Sequence, residues 1–159
     1  MDVQALASIP AQGQMLPDVT LVAADGSAVP LSRYRHNRNL VLAFLGPRAA
    51  LLQSPLVPSL KREYGAIQEA EAEVLVVLNG PPEDAAAAGT ALQLPFPLLS
   101  DPDGDAHKRF GARGDGPAIY VADRFGEIHF AAHPTTPGEL PSALDLLGWL
   151  NYIELLCPE

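Results

Sequence analysis

Cysteine is almost absent: Cys157 is the single thiol in 159 residues. No internal disulfide can form, so the fold has no need of an oxidising compartment. Positive charge is scarce as well. Ten Lys and Arg face nineteen Asp and Glu, for a formal net charge of −9. Such a balance repels phosphate backbones, so nucleic acid is not expected as a partner. The few cations partly gather in "SRYRHNRN", where Arg33, Arg35 and Arg38 read as a solvated loop. No apolar run approaches the roughly 18 residues of a membrane span, so no membrane partner is expected either. The opening "MDVQALASIPAQGQ" lacks the basic start and apolar centre of a signal peptide. The expectation is a soluble, cytoplasmic protein. Aromatics are few, at 6%, but hydrophobic residues make up 48%, which excludes disorder over most of the chain. The length suits an irregular lead-in over 1–15 and a single domain over 16–159.

What is present alternates strand and helix signals. "DVTLVAADGSAVPL" (18–31) reads as a hairpin around Asp25-Gly26. "NLVLAFL" (39–45) and "VLVVLN" (74–79) are continuous apolar runs of strand length, the pattern of strands buried on both faces. Between them, residues 59–73 are helical, with Leu60, Tyr64 and Ile67 on one stripe. Residues 81–94 form an Ala-rich helix opened by proline and acid. Residues 96–112 give a short strand, an Asp-rich turn and a short helix. Residues 117–133 give a hairpin. A last helix is predicted from Thr136, where Thr136 and Glu139 have capping-box spacing, to about Leu156. Its expected apolar face comprises Leu140, Leu144, Leu147, Trp149, Leu150 and Ile153. The order predicts an α/β fold with a mixed sheet, parallel within its strand–helix–strand units and antiparallel at the last hairpin, with helices on both faces.

Four stretches, in order, carry a family resemblance: "LPDVTLVAADGSAVPLSRYRHNRNLVLAFLG", "LVPSLKREYGAI", "LLSDPDGDAHKRFGA" and "GPAIYVADRFGEIHF". Together they resemble the redoxin branch of the thioredoxin fold, the alkyl hydroperoxide reductase/thiol-specific antioxidant (peroxiredoxin-like) family. The resemblance implies a thioredoxin-like three-layer sandwich and thiol-dependent antioxidant chemistry. It implies a reactive cysteine in the first turn of the helix after Gly46-Pro47, where unpaired N–H groups and the helix dipole stabilise a thiolate. It also implies a cis bond at Gly116-Pro117, with Pro117 beside Ser54.

The implied thiol is missing. If Pro47 opens the family's Pro-x-x-x-Thr-x-x-Cys motif, Leu51 replaces the threonine and Ser54 the cysteine. If Tyr64 anchors a Cys-x-x-Cys register, Ala50 and Gln53 stand at the cysteine positions. The peroxidatic branch also carries an arginine where this chain has Pro117. In either register no cysteine lies between Gly46 and Tyr64. Ser54 is no substitute: no G-x-S-x-G elbow surrounds it, and a hydroxyl forms no sulfenic acid. Gln53-Ser54-Pro55 reads instead as a helix cap followed by proline.

The remaining candidates are weaker. Cys157 is the one redox candidate, but it follows a predicted helix C-terminus, where the dipole disfavours a thiolate. Arg48 and Arg113 are candidate ligand groups around a cleft expected to be floored by Ala49, Ala50 and Leu51. Asp101, Asp103 and Asp105 mimic the start of a calcium loop, but Ala106 and Ala112 stand where it needs Gly and Glu, so turn capping is the reading. His129 and His133 fall on a strand and its exit, and His36 and His107 are isolated in sequence, so no metal site is expected. No cofactor is expected. The sequence thus reads as a redoxin-family protein without the redox cysteine: a non-catalytic binding or regulatory module acting through the old cleft or a dimer face. The alternative is a thiol-dependent peroxidase or disulfide reductase using Cys157 or a partner's thiol.

Overall fold

The computed structural model describes residues 9–112 and 116–156. Seven strands form one sheet in the order β2-β1-β5-β4-β3-β6-β7: β1 (Thr20–Ala23), β2 (Ala28–Pro30), β3 (Asn39–Phe44), β4 (Ala72–Leu78), β5 (Leu98–Ser100), β6 (Ala118–Ala122) and β7 (Ile128–Ala132). The helices are α1 (Arg48–Gln53), α2 (Leu56–Glu69), α3 (Pro82–Leu92), α4 (Asp105–Arg109) and α5 (Ala143–Leu156). β3 pairs with β4, and β4 with β5, in parallel, whereas β6 runs antiparallel to both β3 and β7. The mixed sheet predicted from the strand–helix–strand order is therefore present.

The apolar runs explain the centre. Every residue of β3 and β6 is buried. Side chains alternate across the sheet. Val41, Ala43, Val74, Val76, Ile119 and Val121 face a core closed by α1, α2, α3 and α5. Leu40, Leu42, Phe44, Leu75, Val77 and Tyr120 face a second core closed by β1, α4 and Phe110. Helices thus cover both faces, in the thioredoxin-like three-layer arrangement. The predicted stripe of α2 is in place: Leu60 and Ile67 are fully buried and Tyr64 packs against the core. At the first hairpin, Asp25 Oδ1 accepts from Ser27 N at 2.9 Å, and Gly26 supplies φ +90°. The end of the lead-in is tied to the sheet edge: Ile128 N donates to Gln14 O at 2.9 Å, and Gly13 N to Ile128 O at 2.8 Å.

The last helix differs from expectation. Thr136 to Glu139 is not its cap; a 3-10 turn at Pro137–Glu139 stands apart from a helix that begins at Ala143. Pro141 disfavours the helical conformation at Leu140, so the helix restarts after it. Its cap is reciprocal: Ser142 N donates to Asp145 Oδ2 at 3.0 Å, and Asp145 N donates to Ser142 Oγ at 3.2 Å. Glu139 instead accepts from Thr135 N at 2.9 Å. The later start rotates the buried face: Leu146 is fully buried, whereas Leu144 is 64% exposed.

Candidate functional site

The site is built where β3 ends. Phe44 and Leu45 are buried; Gly46 then takes φ +83°, a conformation that favours glycine. Its carbonyl accepts from Asn79 N at 2.8 Å, which joins the ends of β3 and β4. Pro47 precedes α1, a helix of six residues. Ser54 is extended and Pro55 already helical, and Ser54 Oγ accepts from Leu56 N at 3.3 Å. Ser54 thus acts as the cap of α2, as its sequence context predicts. Among the described residues no acid, His or Lys bonds its hydroxyl, so nothing there would activate it as a nucleophile.

Two cavities flank α1. The first, about 310 Å³, is lined by Leu45, Ala50, Ser54, Pro55, Pro117, Pro134, Thr135, Thr136 and Leu140. It holds no charged side chain. The second, about 260 Å³, is lined by Leu45, Gly46, Pro47, Ala50, Asn79, His107, Ala112 and Gly116. Ala50 therefore lines both cavities, Pro47 the second, and Ser54 and Pro117 the first.

Other predicted site residues do not join them. The expected floor of Ala49, Ala50 and Leu51 is reduced to Ala50. Three consecutive helical residues cannot share a face; Leu51 turns into the core at 1% exposure, while Ala49 and Gln53 are exposed. Arg48 lines neither cavity, and its Nη1 lies 3.7 Å from Asp84 Oδ1 on α3. The bond at Gly116-Pro117 is not cis: no peptide bond among the described residues is. Trans is favoured by about 0.5–1 kcal/mol at an X–Pro bond, and in it Pro117 already shares the first cavity with Ser54. Arg113 and Cys157 lie outside the described residues.

Sequence reasoning missed a buried pair beneath the junction. His107, set apart as isolated, is 3% exposed; its Nδ1 lies 2.8 Å from Asp101 Oδ2. Its Nε2 accepts from Gly46 N at 3.1 Å, which makes the ring neutral with its proton on Nδ1. Asp101 also accepts from His107 N at 2.7 Å and Ala106 N at 3.2 Å, the unpaired donors that open α4. Burial alone would raise the Asp101 pKa. The hydrogen bonds from the His107 ring and from these amides outweigh it and hold the carboxyl below its usual value. The one available signal was an acid placed just before a short helix that carries a His. Gly46 and His107, 61 positions apart, gave none. His129 and His133 part company: His129 Nε2 lies 2.9 Å from Asp123 Oδ2, and His133 Nε2 lies 2.9 Å from the Tyr120 hydroxyl.

Residues 12–131 match the family model described as the AhpC/TSA family. The chain belongs to the AhpC/TSA family. Alkyl hydroperoxide reductase E of Mycobacterium tuberculosis (strain ATCC 25618 / H37Rv) is 28% identical over 135 residues, covering 80% of this chain and 88% of that protein. Peroxiredoxin bcp1 of Schizosaccharomyces pombe is 30% identical over 111 residues, covering 65% of this chain and 53% of its own length. Among solved structures, the peroxidoxin BcpB of Mycobacterium tuberculosis aligns with a TM-score of 0.78 at 19% identity, over 89% of this chain and 97% of that one. At that identity the match speaks for the fold. In this AhpC/TSA chain residues 47–54, after the central strand, offer a proline, an arginine, two alanines, two leucines, a glutamine and a serine, but no thiol.

Proposed function

We propose that this chain is a non-catalytic binding module of the AhpC/TSA family, and that the cavity at Ser54 and Pro117 takes an uncharged ligand or side chain. One observation supports the reading: beside the helix where the resemblance places a reactive thiol lies an uncharged hollow, walled by Leu45, Ala50, Leu140 and three prolines, with hydroxyls as its polar side-chain groups. Its volume of about 310 Å³ suits a small ligand. Arg48, the nearest charge in sequence, is matched by Asp84. A protein partner, a second copy included, fits the same proposal, since Leu144 and Leu155 stand exposed on α5. A cytoplasmic setting belongs to it too; no helix among the described residues is long and apolar enough to cross a membrane.

The second reading, a thiol-dependent oxidoreductase, is favoured by relatives named for hydroperoxide reduction. The absence of any cysteine between Gly46 and Tyr64 speaks against it.

Peroxide consumption with a dithiol reductant decides between them. Wild type is expected to match the protein-free control. Turnover abolished by Cys157→Ser would establish the oxidoreductase reading, and turnover that survives it would defeat both. In the binding arm, benzyl alcohol is expected to shift the amide signals of Leu45, Ser54 and Leu140. Unchanged signals at saturating alcohol would remove the cavity from the proposal.

A further inference from the structure

At the opposite pole of the sheet, the β6–β7 turn and the start of β7 hold three side chains that the cavity does not use. Asp123 is 7% exposed, and its Oδ1 is fixed by Phe125 N at 2.9 Å and Glu127 N at 3.0 Å. Its Oδ2 is left to face His129 Nε2 at 2.9 Å. The Glu127 carboxylate completes the group: one ligand atom from each of the three residues lies within 4.8 Å of the others.

We propose that Asp123, Glu127 and His129 bind a divalent cation of the zinc class. Turn capping accounts for Asp123 Oδ1 and for nothing else in the group. It leaves two carboxylates within 4.8 Å of each other with no described ion pair from Arg or Lys to either. Arg124 is bound to Glu154 at 2.7 Å and Arg38 lies 3.9 Å from Glu71, while Arg35 lies against Gly126 and borders one hollow with Arg38 and Asp123; among the described residues none makes an ion pair with either carboxylate. The chain as a whole carries a net charge of −9, which adds to the field that draws in a cation.

The donor set selects the ion. One imidazole with two carboxylates suits borderline metals better than calcium or magnesium, which take oxygen alone. Tetrahedral zinc at about 2.1 Å from each donor needs donors roughly 3.4 Å apart. Asp123 Oδ2 and His129 Nε2 would therefore open from 2.9 Å by about half an ångström. The imidazole binds neutral, its proton moving from Nε2 to Nδ1. Three protein donors leave a position for water.

Calorimetric titration with zinc chloride tests the site, on wild type and on Cys157→Ser, which removes the one thiol that could bind zinc by itself. One equivalent is expected in both proteins. Losing a partner outside the coordination shell typically costs 10–100-fold in metal affinity, so losing a ligand should cost no less. His129→Gln and Glu127→Gln should each weaken binding by about tenfold or more, and His133→Gln should leave it unchanged. Glu127 is exposed, so its variant folds whatever the outcome at His129. The proposal is overturned if zinc gives no heat at millimolar concentration, if binding survives both variants, or if it disappears with Cys157.

Discussion

The two ends of β3 use their polar groups in opposite ways. At the carboxyl end the surface is stripped: Ala50, Leu45 and three prolines line the hollow where the family resemblance places a thiol. The polar pair Asp101 and His107 is buried below, His107 bordering the second cavity, with both imidazole nitrogens bonded. At the amino end buried polar groups pair with half-buried ones that reach water. Arg124 and Asn39 both donate to Glu154 Oε2 at 2.7 Å, and Asp123, His129 and Glu127 follow one turn on. Asn39 Oδ1 is buried with no partner among the described residues. The amino end keeps titratable groups near water, and that is where an ion can be held.

The buried pair should show the largest effect of any single change. Asp101→Ala strands the His107 Nδ1–H and two backbone N–H groups in the core. Each buried unsatisfied donor costs about 1–3 kcal/mol, so a loss of roughly 3–5 kcal/mol in chemical denaturation is expected once water reaches part of the gap. Asp101→Asn keeps one of the two oxygens that cap α4 and should lose less. The sign with pH follows from the lowered carboxyl. A depressed pKa contributes stability that is fully present above the unfolded value near 3.8 and is lost as pH falls through the folded value. Denaturation curves below about pH 4 should steepen for wild type relative to Asp101→Asn. Parallel curves would show that the carboxylate form of Asp101 does nothing for the fold.

The same contrast marks what the sequence disclosed. β3, β4 and the β6–β7 hairpin were legible because their apolar runs and turn residues are local signals, and their order gave the mixed sheet. The start of α5 was not. Thr136 and Glu139 have the spacing of a cap, but Pro141 interrupts, and Ser142 with Asp145 takes the role. That slip misassigned Leu144 and hid Leu146. That no cysteine lies between Gly46 and Tyr64 is read from the residues alone. The partners of His107 and His129 were not legible, because they depend on which loops the sheet brings together. The neutral wall of the hollow was half legible: Ala50 and Pro117 were expected there, while Arg48 and Leu51 turned elsewhere.

A smaller effect separates neighbours on α1. Leu51 is 1% exposed and Leu52 is 41% exposed. Leu51→Ala should cost about 2–4 kcal/mol, the transfer of a buried side chain plus the cavity it leaves. Leu52→Ala should stay within about 0.5 kcal/mol. Equal losses in urea denaturation would mean that α1 does not sit in the described register, and the assignment of Ala50 to the cavities would fall with it.

The smallest effect belongs to Arg48. Its pair with Asp84 spans 3.7 Å, and the two side chains are 51% and 38% exposed. An ion pair so open to water contributes about 0–1 kcal/mol, less at high salt. Arg48→Ala should therefore leave the melting temperature nearly unchanged, and Asp84→Ala likewise. The useful reading is with anions present. Paired to Asp84, Arg48 has its charge already matched, and α1 is too short to hold an anion by its dipole alone. Sulfate and phosphate should thus shift wild type and Arg48→Ala equally. Asp84→Ala removes the matching charge and gives the control: if Arg48 can reach an anion, only in that background should phosphate stabilise the protein. Specific phosphate stabilisation of wild type, lost in Arg48→Ala, would break the contrast between the two ends of β3 and return a charged ligand to the carboxyl pole.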